Sequence, residues 1–213
     1  MGSETNNPSR QRILGRIRGG LRVPVADLPS APESVIFEPI TNPLERFQQE
    51  CVSNLMECLL TSNAAESAQQ LASVLNSLPA GEIFVQDVPW LRQMVQTTRL
   101  IRWSSEGAPR ESSQATISMA EALIAQTGSI FVTASCGGRG ASVVAPVHIV
   151  FATLNQLVPD LATALGNATQ AGTLQNNSFA CVISGSSRTA DIEKILVQGA
   201  HVPVRLVVMV QTA

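Results

Sequence analysis

The sequence predicts an α/β fold, a sheet of short apolar strands covered on both faces. Three observations predict it. The runs 129–133, 148–152 and 204–210 are β-rich and nearly all apolar, the mark of strands buried on both sides. Segments with helical spacing alternate with such runs, which favours a mostly parallel central sheet. Apolar residues make up 45% of the 213, with a mean hydropathy of +0.17. One large domain, or a domain plus an arm, can therefore bury a substantial core.

Residues 1–9 are polar and read as disordered. Residues 10–22 carry five of the fourteen basic residues, with Ile13, Leu14 and Ile17 at helical spacing and Gly19-Gly20 closing the pattern. This short basic helix has two readings: a docking arm for a partner or acidic surface, or a helix laid on its own domain with a solvated Arg face. Residues 23–43 hold Pro24, Pro29, Pro32, Pro39 and Pro43, which forbid a long helix and predict an extended connector. The arm therefore spans 1–41 and the α/β domain 42–213. A helix is expected over 42–61. Asn42 is its N-cap, Pro43 its first residue, and Leu44, Phe47, Cys51, Leu55, Cys58 and Leu59 its apolar stripe. Cys51 and Cys58 then share one helix face. A second helix is expected over 64–78, a strand over 82–87, a short helix over 89–97, a strand over 100–103 and a polar loop over 104–113.

The second half has a clearer rhythm. A helix is expected over 115–125, a turn at Thr127-Gly128, and a strand over 129–133. The Gly-rich loop 136–140 follows, then 142–145, a turn at Pro146 and a strand over 148–152. A helix over 159–165 and a loop over 166–178 lead to the most informative stretch, Phe-Ala-Cys-Val-Ile-Ser-Gly-Ser-Ser-Arg-Thr-Ala-Asp-Ile-Glu at 179–193. It reads as a buried strand over 179–183, a tight turn over 184–187, and a helix opening at Arg188 or Thr189 and running to about Val197. The segment 199–203 enters a last strand over 204–210.

A strand feeding a helix through a Gly/Ser turn aims several free N–H groups at one point, where the helix dipole also favours an anion. A second reading stands beside it. Ser186 or Ser187 caps the helix, and Asp191 and Glu193 satisfy the dipole with no ligand. Arg188 either binds a carboxylate or phosphate bidentately or pairs with Asp191 three residues on. Arg139 lies among Gly137, Gly138 and Gly140, which permit close backbone approach to an anion. His148 reads as a satisfied structural histidine. His201 has the chemistry of a general base but no sequence partner.

Several functions are excluded. A net charge of −2 gives no electrostatic case for nucleic acid, and the scarcity of aromatics, with no Tyr, leaves few stacking platforms. Lys194, the only Lys, sits beside Glu193 in the expected helix and is rejected as a Schiff base. Cys51, Cys58, Cys136 and Cys181 form no CxxC pair, and His148 and His201 are the only histidines. Hence no zinc or iron–sulfur ligand set is visible, and no cofactor or metal is called for. No Walker A, GxGxxG or GxSxG pattern occurs, and no catalytic residue is assigned. No apolar run approaches the roughly 18 residues of a membrane span, and no signal peptide is recognisable. With reduced cysteines, this points to the cytoplasm.

Ala125-Gln-Thr-Gly-Ser-Ile130, Arg139, Pro146-Val-His148, Ser184-Gly-Ser-Ser-Arg-Thr-Ala-Asp-Ile-Glu193 and Gly199-Ala-His-Val-Pro203 are similar to the LUD domain of lactate utilisation protein C and its relatives. The helix at Ile13-Leu-Gly-Arg-Ile-Arg18 also resembles the N-terminal helix of that group. The resemblance covers most of the chain and is densest from about residue 115 onward. It implies a three-layer sandwich like the NagB/ribose-5-phosphate isomerase/CoA-transferase group, with N-terminal helices. It also implies a role in oxidising L-lactate to pyruvate beside partner proteins that carry iron–sulfur clusters. Three positions depart from the family pattern: Gln126 stands where an acidic residue precedes Thr-Gly, Ser186 replaces a Pro, and Val202 replaces the Gly of His-Gly-Pro.

The candidate ligand-binding set is Thr127, Gly128, Arg139, Ser184, Gly185, Ser186, Ser187, Arg188, Thr189, Asp191 and His201. Three functions compete. The first is a non-redox accessory subunit of lactate utilisation that binds a small anionic ligand or a partner through the 184–193 turn and the 136–140 loop. The second is an independent enzyme or binder acting on a phosphorylated sugar or acyl-CoA, by analogy with the fold group. The third is a binding module docked through its basic N-terminal helix.

Overall fold

Pro8, at the first helical position, opens α1 (Pro8–Gly20), which carries Arg10, Arg12, Arg16 and Arg18, no acidic residue in its first turn and no buried side chain. The computed structural model describes residues 8–21, 38–107, 111–190, 196–198 and 203–212. The chain divides into two units, Met1–Glu38 and Pro39–Ala213. Most of the Pro-rich connector lies outside the described residues.

In the second unit, Asn42 caps α2 (Pro43–Ser53) by accepting from the Glu45 N–H at 3.3 Å, with Pro43 opening the helix. Phe47 and Cys51, one turn apart, are fully buried. The helix does not continue to residue 61 as its apolar stripe suggests. It ends at Asn54, and Leu55 takes a left-handed φ of +54°, the position after a C-cap that usually needs Gly or Asn. The chain then enters β1 (Glu57–Thr61). Leu55, Cys58 and Leu59 fit helical spacing, but in the strand Cys58 and Leu60 turn to one core and Leu59 to the other. Cys51 and Cys58 therefore lie on a helix and a strand, packed in the same core. The neighbouring Cys58 thiol raises the pKa of Cys51 and so holds it protonated, while Cys51 lowers that of Cys58.

Asn63 and Glu66 cap α3 (Ala64–Asn76) from both sides of its first turn: Asn63 accepts from the Glu66 N–H, and Glu66 from Ser62 N–H and O–H. β2 (Ile83–Val85), α4 (Pro89–Met94) and β3 (Ile101–Trp103) follow as expected. The expected helix over 115–125 is instead two strands, β4 (Ala115–Met119) and β5 (Ala122–Ile124). Ala, Met, Glu and Leu favour helix here, but β4 is enclosed between two parallel neighbours, and tertiary context overrides propensity. β6 (Ser129–Thr133), β7 (Val147–Thr153) and the short β8 (Leu157–Val158) lead to α5 (Leu161–Gln170), capped by Asp160. This helix runs through the region expected as a loop, and a short α6 (Thr173–Asn176) follows it. β9 (Ala180–Ile183) is partly exposed along its length rather than buried. Where a helix is expected from residue 188 to about 197, the described residues at both ends of that stretch are strands. β10 (Arg188–Ala190) pairs antiparallel with β11 (Leu196–Gln198), and β12 (Arg205–Gln211) closes the chain.

The central sheet has the order β1-β12-β7-β4-β2-β3, and every neighbouring pair is parallel. One face packs Ile83, Val85, Ile117, Ile149, Phe151, Val207 and Met209 against Leu71, Val74 and Leu75 of α3 and Leu91 of α4. The other face packs Val150, Ala152, Leu206, Val208 and Val210 against Phe47 and Cys51 of α2 and against Leu123, Ile130 and Val132. The last three belong to a second sheet of order β8-β5-β6-β9, whose far side carries Ile124 and Phe131 onto Ala164 and Ala168 of α5. The architecture is the expected three-layer α/β sandwich, with one outer layer made largely of sheet.

Candidate functional site

The structure brings together part of the sequence-predicted set, around a residue the sequence reading does not select. Asn54, at the end of α2, donates its side-chain N–H to the Thr127 carbonyl at 2.8 Å. Thr127 Oγ1 lies 2.7 Å from Ser129 Oγ, which lies 2.6 Å from Ser184 Oγ. Gly128 has φ +57°, and a Cβ there would stand 2.5 Å from Glu50 Cβ and 2.7 Å from the Glu50 carbonyl carbon. Gly185 has φ +91°, and a Cβ there would stand 2.3 Å from the Asn54 carbonyl oxygen. Thr127, Gly128, Ser184 and Gly185 thus meet at one close junction, where two glycines let two turns approach the end of α2.

The rest of the set lies elsewhere. Ser186 is buried, and the Ser187 N–H donates to the Pro203 carbonyl at 2.9 Å. Arg188 and Thr189 stand in β10, so the 184–187 turn leads into a strand and not, as expected, directly into a helix N-terminus. Arg139 donates to the Ser178 carbonyl at 3.0 Å. Asp191, His201 and the departure at Val202 lie outside the described residues. The Gln126 backbone N–H donates to the Pro159 carbonyl at 2.9 Å.

The carboxyl edge of the central sheet holds a second assembly. Glu121 follows β4 by two residues, and its Oε1 accepts from Thr133 Oγ1 at 2.6 Å, Ser135 Oγ at 2.8 Å and the Cys136 thiol at 3.6 Å. Gln86, just past β2, accepts from the Met119 N–H and donates to the Ser135 carbonyl, which pins the Gly-rich loop to this edge. Burial pushes the Cys136 thiol up to about 11, so it is a donor and not a thiolate at neutral pH. Ligands of open α/β sheets lie outside the carboxyl ends of the strands. Reading 115–125 as a helix hides Glu121 among ordinary helix residues; a strand ending at Met119 would have marked it.

A third polar group is enclosed in the sheet. Register places Thr116 between Phe84 and His148 on adjacent strands. His148 Nε2 lies 2.9 Å from Ser118 Oγ, while His148 Nδ1 and Thr116 Oγ1 are buried without a hydrogen-bond partner. The histidine is structural, as expected, but only half satisfied. Burial lowers its pKa from 6.5 to about 4, so the ring is neutral at pH 7. Among the described residues no group of three or more His, Cys, Asp or Glu could hold a metal ion, and no helix is long and apolar enough to cross a membrane.

The sequence model of the LUD domain matches residues 44–210, nearly the whole second unit. No curated protein matches the chain. Among solved structures, a DUF162 family protein from Deinococcus radiodurans, a crystal structure at 1.70 Å resolution, aligns at 19% identity with a TM-score of 0.62. The alignment covers 80% of this chain and 96% of that one. At that identity the likeness shows the fold.

Proposed function

The chain belongs to the LUD domain family, and from that premise we propose that it serves bacterial L-lactate utilisation as a non-redox subunit beside iron–sulfur partner proteins. The observation that carries this reading is the family match, which spans the α/β domain from the first turn of α2 to the last strand. The junction at Asn54 supports it, because the Thr-Gly and Ser-Gly motifs that carry the resemblance are the ones packed against each other. The protein works in the cytoplasm, where its partners' clusters and its own reduced thiols persist. α1 is the element that docks the partners: four arginines with no acid in its first turn suit an acidic groove.

Deleting the gene and scoring growth on L-lactate as sole carbon source tests the role. Loss of growth, restored by the wild-type gene, is expected; normal growth of the deletion strain overturns it. Affinity purification of the full chain should recover the iron–sulfur partners. Removing residues 1–22 should abolish that recovery without lowering the thermal midpoint of the remaining chain.

A further inference from the structure

A cleft of about 250 Å³ opens beside Glu121, and nothing assigned above uses it. One wall is α5, which presents Ala164, Asn167, Ala168 and Ala171 along one stripe. Ala164 and Ala168 also pack on Ile124 and Phe131 of the second sheet, and that contact borders the cleft. The opposite wall is Glu121, Asn155 and Gln156 at the carboxyl edge of the central sheet. Gln156 is committed, donating to the Ala120 carbonyl and accepting from the Thr153 N–H. The side chains of Asn155 and Asn167 have no hydrogen bond among the described residues.

Among the described residues Glu121 is the only charged one lining the cleft. It has no ion pair among the described residues, and its three donors all reach Oε1. Arg139, on the following loop, is turned to the Ser178 carbonyl and does not line the cleft. A half-buried carboxylate with one oxygen fixed and no counter-charge favours a cation there and disfavours an anion. Amide side chains on both walls add sites for hydroxyl groups.

We propose that this cleft binds a small hydroxyl-bearing ammonium compound, its nitrogen on the Glu121 carboxylate and its hydroxyls on Asn155 and Asn167. The site is separate from the Thr127–Ser184 junction and independent of the lactate role.

Three size-matched probes test it on the full chain by NMR titration: 2-amino-1,3-propanediol, glycerol and L-lactate. The amino alcohol should shift the amide signals of Asn155, Asn167, Ala168 and Thr173 in a saturable way. Glycerol should bind at least tenfold more weakly, and L-lactate should leave those signals unmoved. Glu121→Gln should reduce the amino alcohol to the level of glycerol. Ala168→Leu, which fills the cleft and leaves the carboxylate in place, should abolish binding of both. The spectrum of each variant reports its folding directly. Equal shifts from amino alcohol and glycerol, saturable binding of L-lactate at these residues, or amino-alcohol binding unchanged in Ala168→Leu would each overturn the assignment.

Discussion

Gly128→Ala tests whether the Thr-Gly motif is a packed junction or a ligand loop. The residue sits at φ +57° and ψ +41°, a left-handed conformation that costs an L-residue roughly 1–2 kcal/mol. The added methyl meets Glu50 Cβ at 2.5 Å, the Glu50 carbonyl carbon at 2.7 Å and the Cys51 nitrogen at 2.9 Å. Two of these are backbone atoms of α2, so no rotamer change relieves the contact. The helix must shift, and with it the fully buried Phe47 and Cys51. Overpacking of that kind costs about 1–3 kcal/mol. The sum, about 2–5 kcal/mol, is a large share of the roughly 5–15 kcal/mol that holds a domain folded. Urea unfolding measures it as a lowered midpoint at constant slope. Gly166→Ala is the internal control. That glycine lies within α5 with no atom within 4 Å of an added Cβ, so alanine should stabilise by about 0.5–1 kcal/mol. A loss below about 0.5 kcal/mol for Gly128→Ala, with unchanged slope, would refute the close approach and return the motif to the ligand reading.

Thr116→Val replaces a fully buried hydroxyl that has no partner with a methyl of similar size, and should raise stability by about 1 kcal/mol, read as a higher thermal midpoint; a lowered midpoint would mean the hydroxyl is bonded. Stability should also fall with acid through His148. Above pH 6.5 both folded and unfolded chains hold this ring neutral. Between 6.5 and about 4 the unfolded chain takes up a proton that the folded one refuses, so stability drops at up to about 1.4 kcal/mol per pH unit. His148→Leu should flatten that limb of the pH–stability curve, and an unchanged slope would show that other groups set it.

Much of the fold was legible. The runs at β7 and β12 are apolar on both faces because the central sheet buries both faces, and the run at β6 is so because its sheet lies between the central sheet and α5; composition alone carries that. The caps at Asn42 and Pro43 were legible because capping is local chemistry. The failures share one cause. Residues 115–125 and 188–197 are rich in helix-compatible residues, and acids near the start of the second mimic a helix N-terminus. What makes β4 a strand is its place between β2 and β7, and what makes β10 a strand is β11; neither partner is written in the local spacing. Asn54 was invisible for the same reason, since the carbonyl it holds is 73 residues away.

The junction also bears on where chemistry can lie in this chain. Gly128 and Gly185 are required by close backbone approach, and the hydroxyls of Thr127, Ser129 and Ser184 bond to one another. These hydroxyls and glycines are taken up in packing the domain. A reactive or ligand-binding group must be one the fold leaves uncommitted. Glu121 meets that condition better than the serines of the 184–187 turn: it sits at the carboxyl edge of a central strand, faces a cleft, and has a carboxylate oxygen with no donor among the described residues. The departure at Gln126 removes a carboxylate from the Thr-Gly turn, and Glu121, five residues earlier, keeps one at the sheet edge. In this member of the family, the motif loops hold the two sheets and α2 together, and the edge beside them carries the charge.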